Sequence, residues 1–357
     1  MSRIQTVGIV GAGTMGAGIM INCTSSGLDV VLVDRSAEVL DAAQAKQAKY
    51  LARQVSKDRI TQDEADAAAA RLTTATDSTA MAECDLVIEA VFENLDLKKN
   101  IFAELDMIVR PDAILATNTS CLRLADIAEA LTDPSRFCGM HYFSPAEINP
   151  VVELIEGPRT RPGVLAAAKG FLEQTKKTVI ACKDQNGFAL NRFFCPYSNE
   201  AVHMLDEGIA TTGQIDAAAR AAFGLAMGPF AVMNIIGTAT NLNAVRNLSS
   251  LGPFYAPAKG LEMQGADNSP WQIEETPAPL DDATRQALID RFVNSVLLPV
   301  CEEMTEGTAT LEAIDTGARL AFRFEHTPGA LLAELGEGAR PRLAAFAASR
   351  GHPTDKL

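Results

Sequence analysis

The chain has 357 residues, 47% hydrophobic and 21% charged, with a formal net charge of −14. That length exceeds one ordinary core and predicts two or three domains, while the balanced composition excludes a wholly disordered chain. The negative excess argues against nucleic acid or an anionic membrane as partner, and no run approaches the roughly 18 apolar residues of a membrane helix.

Seven cysteines occur, an odd number with no Cys-x-x-Cys pair. The pattern predicts neither a disulfide framework nor a zinc site, but small core residues. The N-terminus runs within a few residues into a strand-like segment, which leaves no room for a signal peptide. Together these features predict a cytoplasmic protein without a metal.

Thr6–Val10 reads as a buried strand. Gly11-Ala12-Gly13-Thr14-Met15-Gly16 follows it and opens a helix over Thr14–Ser26, which Gly27 should stop in a left-handed turn. In such a turn the first glycine permits the bend, the second lets a pyrophosphate approach, and the third lets helix and strand pack. A second strand, Val30–Val33, ends at Asp34, which is placed to hold ribose hydroxyls and to repel a 2′-phosphate. The cofactor expected is therefore NAD rather than NADP, although the neighbouring Arg35 could pair with that phosphate.

Lys46, Lys49, Arg53 and Lys57 are spaced to share one helix face. In an acidic protein that face suits the phosphates of a nucleotide, and a plain solvated face fits the same spacing. Further strands are predicted at Asp85–Ala90, Ala113–Ala116, Phe137–Met140, Val151–Ile155 and Thr178–Cys182, and helices at Leu97–Val109 and Gly163–Thr175. The alternation implies a mostly parallel, doubly wound α/β sheet of Rossmann type with helices on both faces.

Of four histidines, His203 reads as a helix-surface residue, and His326 and His352 fall in loop-like sequence. His141 closes a strand-like run, where α/β folds place reacting groups. Twelve residues on, Glu153 interrupts the apolar run Val151–Ile155, and a carboxylate there is costly unless paired. A Glu153 that holds His141 would stabilise its protonated form, as a base for alcohol oxidation requires.

From about Gln185 strands vanish and Ala-rich helical patterns take over. Asn191, Pro196 and Glu200 recur as Asn294, Pro299 and Glu303. Gly208, Ile215, Asp216, Arg220, Phe223, Pro229 and Gly237 recur as Gly307, Ile314, Asp315, Arg319, Phe322, Pro328 and Gly336, at an offset smaller by about one helical turn. This predicts a tandem pair of helical repeats. The predicted domains are residues 1–184 (dinucleotide-binding), 185–290 (first helical repeat with an insertion) and 291–357 (second repeat).

The chain resembles the L-3-hydroxyacyl-CoA dehydrogenase family along nearly its whole length. The likeness rests on GAGTMGAG at Gly11–Gly18, VIEAVFE at Val87–Glu93 and NTS at Asn118–Ser120. It continues in GMHYFSP at Gly139–Pro145, VVE at Val151–Glu153, GFALNR at Gly187–Arg192 and Met227-Gly228-Pro229. The resemblance implies an acyl-CoA substrate, His141 as base and Glu153 as its partner. It also implies that Ser120 and Asn191 bond the substrate oxygen or the histidine, and that Ala90, Glu93, Lys98 and Asn118 lie along the cofactor. The repeat resembles the dehydrogenase portion of multifunctional fatty-acid oxidation proteins. Ser144 stands where the family commonly has asparagine, and Cys121 where a second serine is common; both positions bear on the choice of substrate. Lys46, Lys49 and Arg53 would meet the nucleotide end of CoA. The helical repeats are expected to pair within one chain, leaving a monomer or homodimer. A dehydrogenase of free hydroxy acids and a non-catalytic NAD-binding scaffold are the competing readings.

Overall fold

The computed structural model describes residues 3–357; Met1 and Ser2, on which part of the leader expectation rests, lie outside them. Two compact units divide the chain, Met1–Asp184 and Gln185–Leu357.

The first unit is an eight-stranded sheet. In chain order it comprises β1 (Thr6–Val10), α1 (Thr14–Ser25), β2 (Asp29–Val33), α2 (Ala37–Val55), α3 (Gln62–Ala70), β3 (Leu72–Ala75), β4 (Leu86–Glu89) and α4 (Leu95–Ile108). Then come β5 (Ile114–Thr117), α5 (Leu124–Ala128), β6 (Phe137–Tyr142), β7 (Val151–Glu156), α6 (Pro162–Gln174) and β8 (Thr178–Lys183). The strand order is β3-β2-β1-β4-β5-β6-β7-β8. Every neighbouring pair is parallel except β6 and β7. Strands β1, β4 and β5, rich in Val, Ile and Leu, and β6, Phe-Cys-Gly-Met-His-Tyr, are almost wholly buried, as strands covered on both faces must be. The predicted Rossmann-type sheet is thus present.

Sequence reading passed over β3. Its Leu-Thr-Thr-Ala carries no apolar run because β3 lies at the sheet edge and is half exposed. Gly27 takes φ +84°, the left-handed stop expected after α1. Six cysteines are buried and Cys301 is half-buried.

The second unit is helical throughout. It holds α7 (Asn191–Asp206), α8 (Thr212–Phe223), α9 (Pro229–Ile236), α10 (Thr238–Leu248), α11 (Lys259–Ala266), α12 (Asp282–Glu306), α13 (Leu311–Ala321), α14 (Pro328–Leu335) and α15 (Ala339–Ser349). The long helices α7 and α12 pack against one another, and each contains a proline, Pro196 and Pro299. After them Gly208 and Gly307 take φ +67° and +65°. Asp216 of α8 accepts the Phe230 N–H at the start of α9 at 2.9 Å, and Asp315 of α13 accepts the Gly329 N–H at the start of α14 at 2.7 Å. Aromatic rings join α7 and α8 to the segment that ends α13: Phe194 stacks on Phe322 at 4.0 Å and Phe223 on Phe324 at 4.6 Å.

One histidine reading changes, and a second histidine lies in a loop as expected. His203 is not on the surface: it is half-buried, with Nε2 3.3 Å from the Asn199 amide, and burial together with Arg350 lowers its pKa to about 4. His352 is in a loop but buried, bonded to Glu302 at 2.7 Å. Local sequence does not reveal such burial, because the covering elements come from elsewhere in the chain. Among the described residues, no helix is long and apolar enough to cross a membrane.

Candidate active site

The dinucleotide turn lies between the sheet-centre strands β1 and β4. Gly11 takes φ +98°, and a Cβ there would lie 2.7 Å from the Ala90 carbonyl oxygen. A Cβ on Gly16 would sit 1.8 Å from the Gly11 oxygen, so α1 approaches β1 only because that position is bare. At Gly13 a Cβ would meet nothing within 4 Å. Gly13 is also the N-cap of α1, which has no side-chain cap and no acidic residue in its first turn. Backbone donors next to open space, with Thr14 exposed and Met15 half-buried behind them, fit a pyrophosphate. Asp34 completes the cradle: it accepts the Ala12 N–H at 2.9 Å and the Ser36 N–H at 3.0 Å. These residues fit NAD.

Beyond β4 and β5 lies a charged network. Lys98 of α4 is 1% exposed, with Nζ 2.5 Å from Glu89 and 3.3 Å from Glu93. Glu89, wholly buried, also accepts from the Thr117 hydroxyl at 2.7 Å and the Val91 N–H at 2.8 Å. Glu93 Oε1 accepts from the Thr119 hydroxyl at 2.5 Å, the Ser120 N–H at 2.8 Å and the Cys121 N–H at 3.1 Å. Burial works to raise the Glu93 pKa, but the Lys98 ammonium and these donors hold it below its ordinary value. Glu93 therefore fixes the loop carrying Ser120. Asn118 accepts the Tyr142 N–H at 2.9 Å, tying that loop to the end of β6.

His141 and Glu153 are direct partners in the antiparallel β6–β7 register. Residues opposite one another on neighbouring strands share a face of the sheet. The two side chains meet with His141 Nδ1 2.6 Å from Glu153 Oε2, the histidine 4% exposed and the glutamate 0%. Phe143 packs on the imidazole, ring centroids 4.5 Å apart.

The α2 stripe borders the loop that follows β6. Lys46 pairs with Glu147 of that loop at 3.1 Å, and Lys49 and Arg53 are exposed. Beside them a cavity of about 370 Å³ is lined by Tyr50, Arg53, Gln54, Lys57, Arg59, Glu147 and Ile148. Ser144 is exposed at the start of the same loop. Asn191 is the first residue of α7, in the helical unit.

Sequence reasoning missed Glu89, Tyr50 and Arg59. Glu89 interrupts an apolar run just as Glu153 does, so the cost of a lone buried carboxylate could have found it. Tyr50 and Arg59 carry no such signal. Among the described residues, no group of three or more His, Cys, Asp or Glu could hold a metal.

Comparison with known proteins adds the following. Residues 6–185 match the family described as "3-hydroxyacyl-CoA dehydrogenase, NAD binding domain", and residues 187–267 its C-terminal domain. The 3-hydroxybutyryl-CoA dehydrogenase of Bradyrhizobium diazoefficiens is 38% identical over 245 residues, which are 69% of this chain and 84% of that protein. The crystal structure of 3-hydroxybutyryl-CoA dehydrogenase from Escherichia coli K12 is similar with a TM-score of 0.90 at 25% identity, over 99% of this chain and 96% of that one. The dehydrogenase part of multifunctional enzyme 1 from Caenorhabditis elegans shares the fold, with a TM-score of 0.58 at 24% identity over 92% of this chain and 80% of that one.

Proposed function

The chain belongs to the 3-hydroxyacyl-CoA dehydrogenase family and is an NAD-dependent oxidoreductase, and on that premise we propose that it oxidises the 3-hydroxyl of an L-3-hydroxyacyl-CoA to the 3-oxo group, with His141 as base and Glu153 as its partner. The observation that carries this reading is the buried 2.6 Å contact between the two. NAD, when bound, supplies the acceptor for the hydride leaving C3. His141 donates from Nδ1–H to Glu153 and takes the hydroxyl proton at Nε2. The imidazolium so formed lies against the buried Glu153 carboxylate, whose opposite charge stabilises it. Ser120 and Asn191 donate to the substrate oxygen or orient the histidine. Gly11, Gly13, Thr14, Met15, Gly16 and Asp34 hold the dinucleotide, with Ala90, Glu93 and Asn118 along its nicotinamide side. Lys98, buried between two carboxylates, acts there by holding Glu93.

The CoA nucleotide is assigned to the cavity beside α2. Tyr50 offers a ring for a base, and Lys49, Arg53, Lys57 and Arg59 offer charge for phosphates. Lys46 is committed to Glu147 and contributes less. Ser144, on the intervening loop, would face the thioester.

The residue ranges 185–290 and 291–357 are read as a duplicated helical repeat whose copies pair within the chain, as the matched capping aspartates and the stacked phenylalanines support. In the second copy the Asn294 side-chain oxygen is taken by Arg342 at 2.6 Å, which fits a copy kept for packing rather than chemistry. An odd number of cysteines, seven, with no Cys-x-x-Cys pair suits a reducing compartment, and the cytoplasm is the proposed location.

The test is NAD reduction across a panel of 3-hydroxyacyl-CoA thioesters and the matching free acids, with the wild type, His141→Ala and Glu153→Gln. Thioesters are expected to turn over, and His141→Ala to lose about a hundredfold or more in kcat while NAD binding is kept. Better turnover of free acids would replace the substrate class. Normal turnover in both variants would remove the base and its partner.

A further inference from the structure

A guanidinium in the first turn of a helix opposes the backbone dipole, and burying it removes its water. Arg192 meets both penalties: it is the second residue of α7 and is 1% exposed. Its charge is answered from distant segments. Nη1 and Nη2 grip Glu306 of α12 at 2.7 and 3.1 Å, and Nη2 reaches Glu302, one turn earlier, at 3.5 Å. Nε reaches the Tyr255 hydroxyl at 3.4 Å, and that hydroxyl donates to Glu302. From the C-terminal segment His352 bonds Glu302 and Lys356 bonds Glu306, each at 2.7 Å.

Packing alone does not call for this arrangement, because an apolar side chain of similar volume usually fills such a space at lower cost. What the guanidinium does fix is the first turn of α7. The Arg192 N–H donates to the Gly187 carbonyl at 3.1 Å. Gly187 takes φ +79°, and a Cβ there would lie 3.0 Å from the Arg192 nitrogen and 2.6 Å from Leu248. The chain from Gly187 to Arg192 is therefore a closed turn, locked at one end by its own backbone and at the other by α12. Asn191 lies inside it, one residue before the clamp.

We propose that Arg192 is a positioning residue for Asn191, held by Glu302 and Glu306 so that the first turn of α7 presents the asparagine in one fixed direction. This rests on the reading of Asn191 as a donor to the substrate oxygen or the histidine. The segment that follows the insertion then contributes to turnover through charge, separately from covering an apolar face. A misplacement of about 1 Å in a positioned group can cost about a hundredfold in rate.

The experiment uses the full chain, NAD and 3-hydroxybutyryl-CoA, with kcat taken per folded molecule. Arg192→Met with Glu306→Gln removes one charge of each sign and leaves Glu302 its bonds to Tyr255 and His352. This double variant is expected to keep its unfolding midpoint and its Kd for NAD within about twofold, yet to lose at least about tenfold in kcat. Arg192→Lys, which keeps the charge without the fork, should fall between it and the wild type. Should the double variant not fold, Arg192→Lys and Glu306→Gln read the same parameter. Wild-type kcat in the folded variants, or a loss explained by the folded fraction alone, overturns the proposal. Asn191→Ala separates the two claims. If it is inactive while the double variant is fully active, only the clamp is wrong. If it turns over normally, the reading of Asn191 fails and the positioning role falls with it.

Discussion

At the scale of the residue, legibility followed cost. His141 and Glu153 stood out because a carboxylate inside an apolar run requires a reason, and the structure sets them 2.6 Å apart. Glu89 obeys the same rule and was missed, since its partner Lys98 lies on the following helix rather than on a strand. The basic side of α2 was legible as a spacing, but Arg59 and Tyr50 join its cavity only through the fold. That cavity yields a test: Arg53→Glu with Arg59→Glu should raise KM for the CoA thioester and leave KM for a pantetheine thioester nearly unchanged. Equal shifts for both would mean that the face is merely solvated. Asp34 yields another. Its two oxygens hold the Ala12 and Ser36 N–H groups beside the cradle, so Asp34→Ala should narrow the preference for NAD over NADP, read as the ratio of kcat/KM values. A wild type that uses NADP better would show that Arg35 decides instead.

At the scale of the element, the site depends on one reversal of strand direction. Among the described residues the β6–β7 pair is the only antiparallel one in the sheet, and its register sets His141 against Glu153. Two residues earlier, Gly139 pairs with Ile155, and a Cβ on Gly139 would lie 2.7 Å from Ile155 Cδ1 and 2.9 Å from its Cβ. The branch carbon cannot swing away, so Gly139→Ala should push β7 outward, costing about 1–3 kcal/mol of stability. It should also lower kcat more than it changes the Kd for NAD, because Asp34 and the glycine turn lie on other strands. Ile155→Ala in the same chain should recover part of both losses. A Gly139→Ala enzyme with normal kcat would show that β7 tolerates the shift. Sequence pattern marked both strands but not their relative direction, since an apolar run reads alike in parallel and antiparallel ladders. Edge strand β3 was invisible for the opposite reason: it buries too little to need an apolar run.

At the scale of the whole molecule, the buried thiols set a limit on alkaline stability. Burial pushes Cys23, Cys84, Cys138 and Cys195 up from 9.0 to about 12 and Cys301 to about 11. The unfolded chain releases those protons near pH 9.0 while the folded chain keeps them. The unfolded state therefore gains as pH rises, and stability is lost between about 9 and 12. Lys177 acts in the other direction: burial lowers it from 10.5 to about 8, so folding gains between those values. One ammonium opposes five thiols, and each fully shifted group contributes about 1.4 kcal/mol per pH unit. The urea midpoint should therefore be clearly lower at pH 10 than at pH 8, with thiol reagents reacting slowly until the chain unfolds. A higher midpoint at pH 10 would mean that the thiols are not protected. Composition foretold the buried cysteines, and alternation foretold a sheet followed by helices. How the helical segments meet was beyond it, because ion pairs such as Arg192 with Glu306 join residues 114 apart.

The short connection between β6 and β7 also separates two kinds of assembly in time. His141 and Glu153 are twelve residues apart, so closing their contact requires ordering little chain. The dinucleotide cradle instead joins Gly11 to Val33 through one hydrogen bond and Val10 to Ala90 through another, across longer stretches of chain. Local contacts form early and distant ones late. The contact between His141 and Glu153 can thus be in place on its hairpin before the chain has built anywhere for the dinucleotide to bind, and gain of cofactor affinity should trail the appearance of the paired imidazole during refolding.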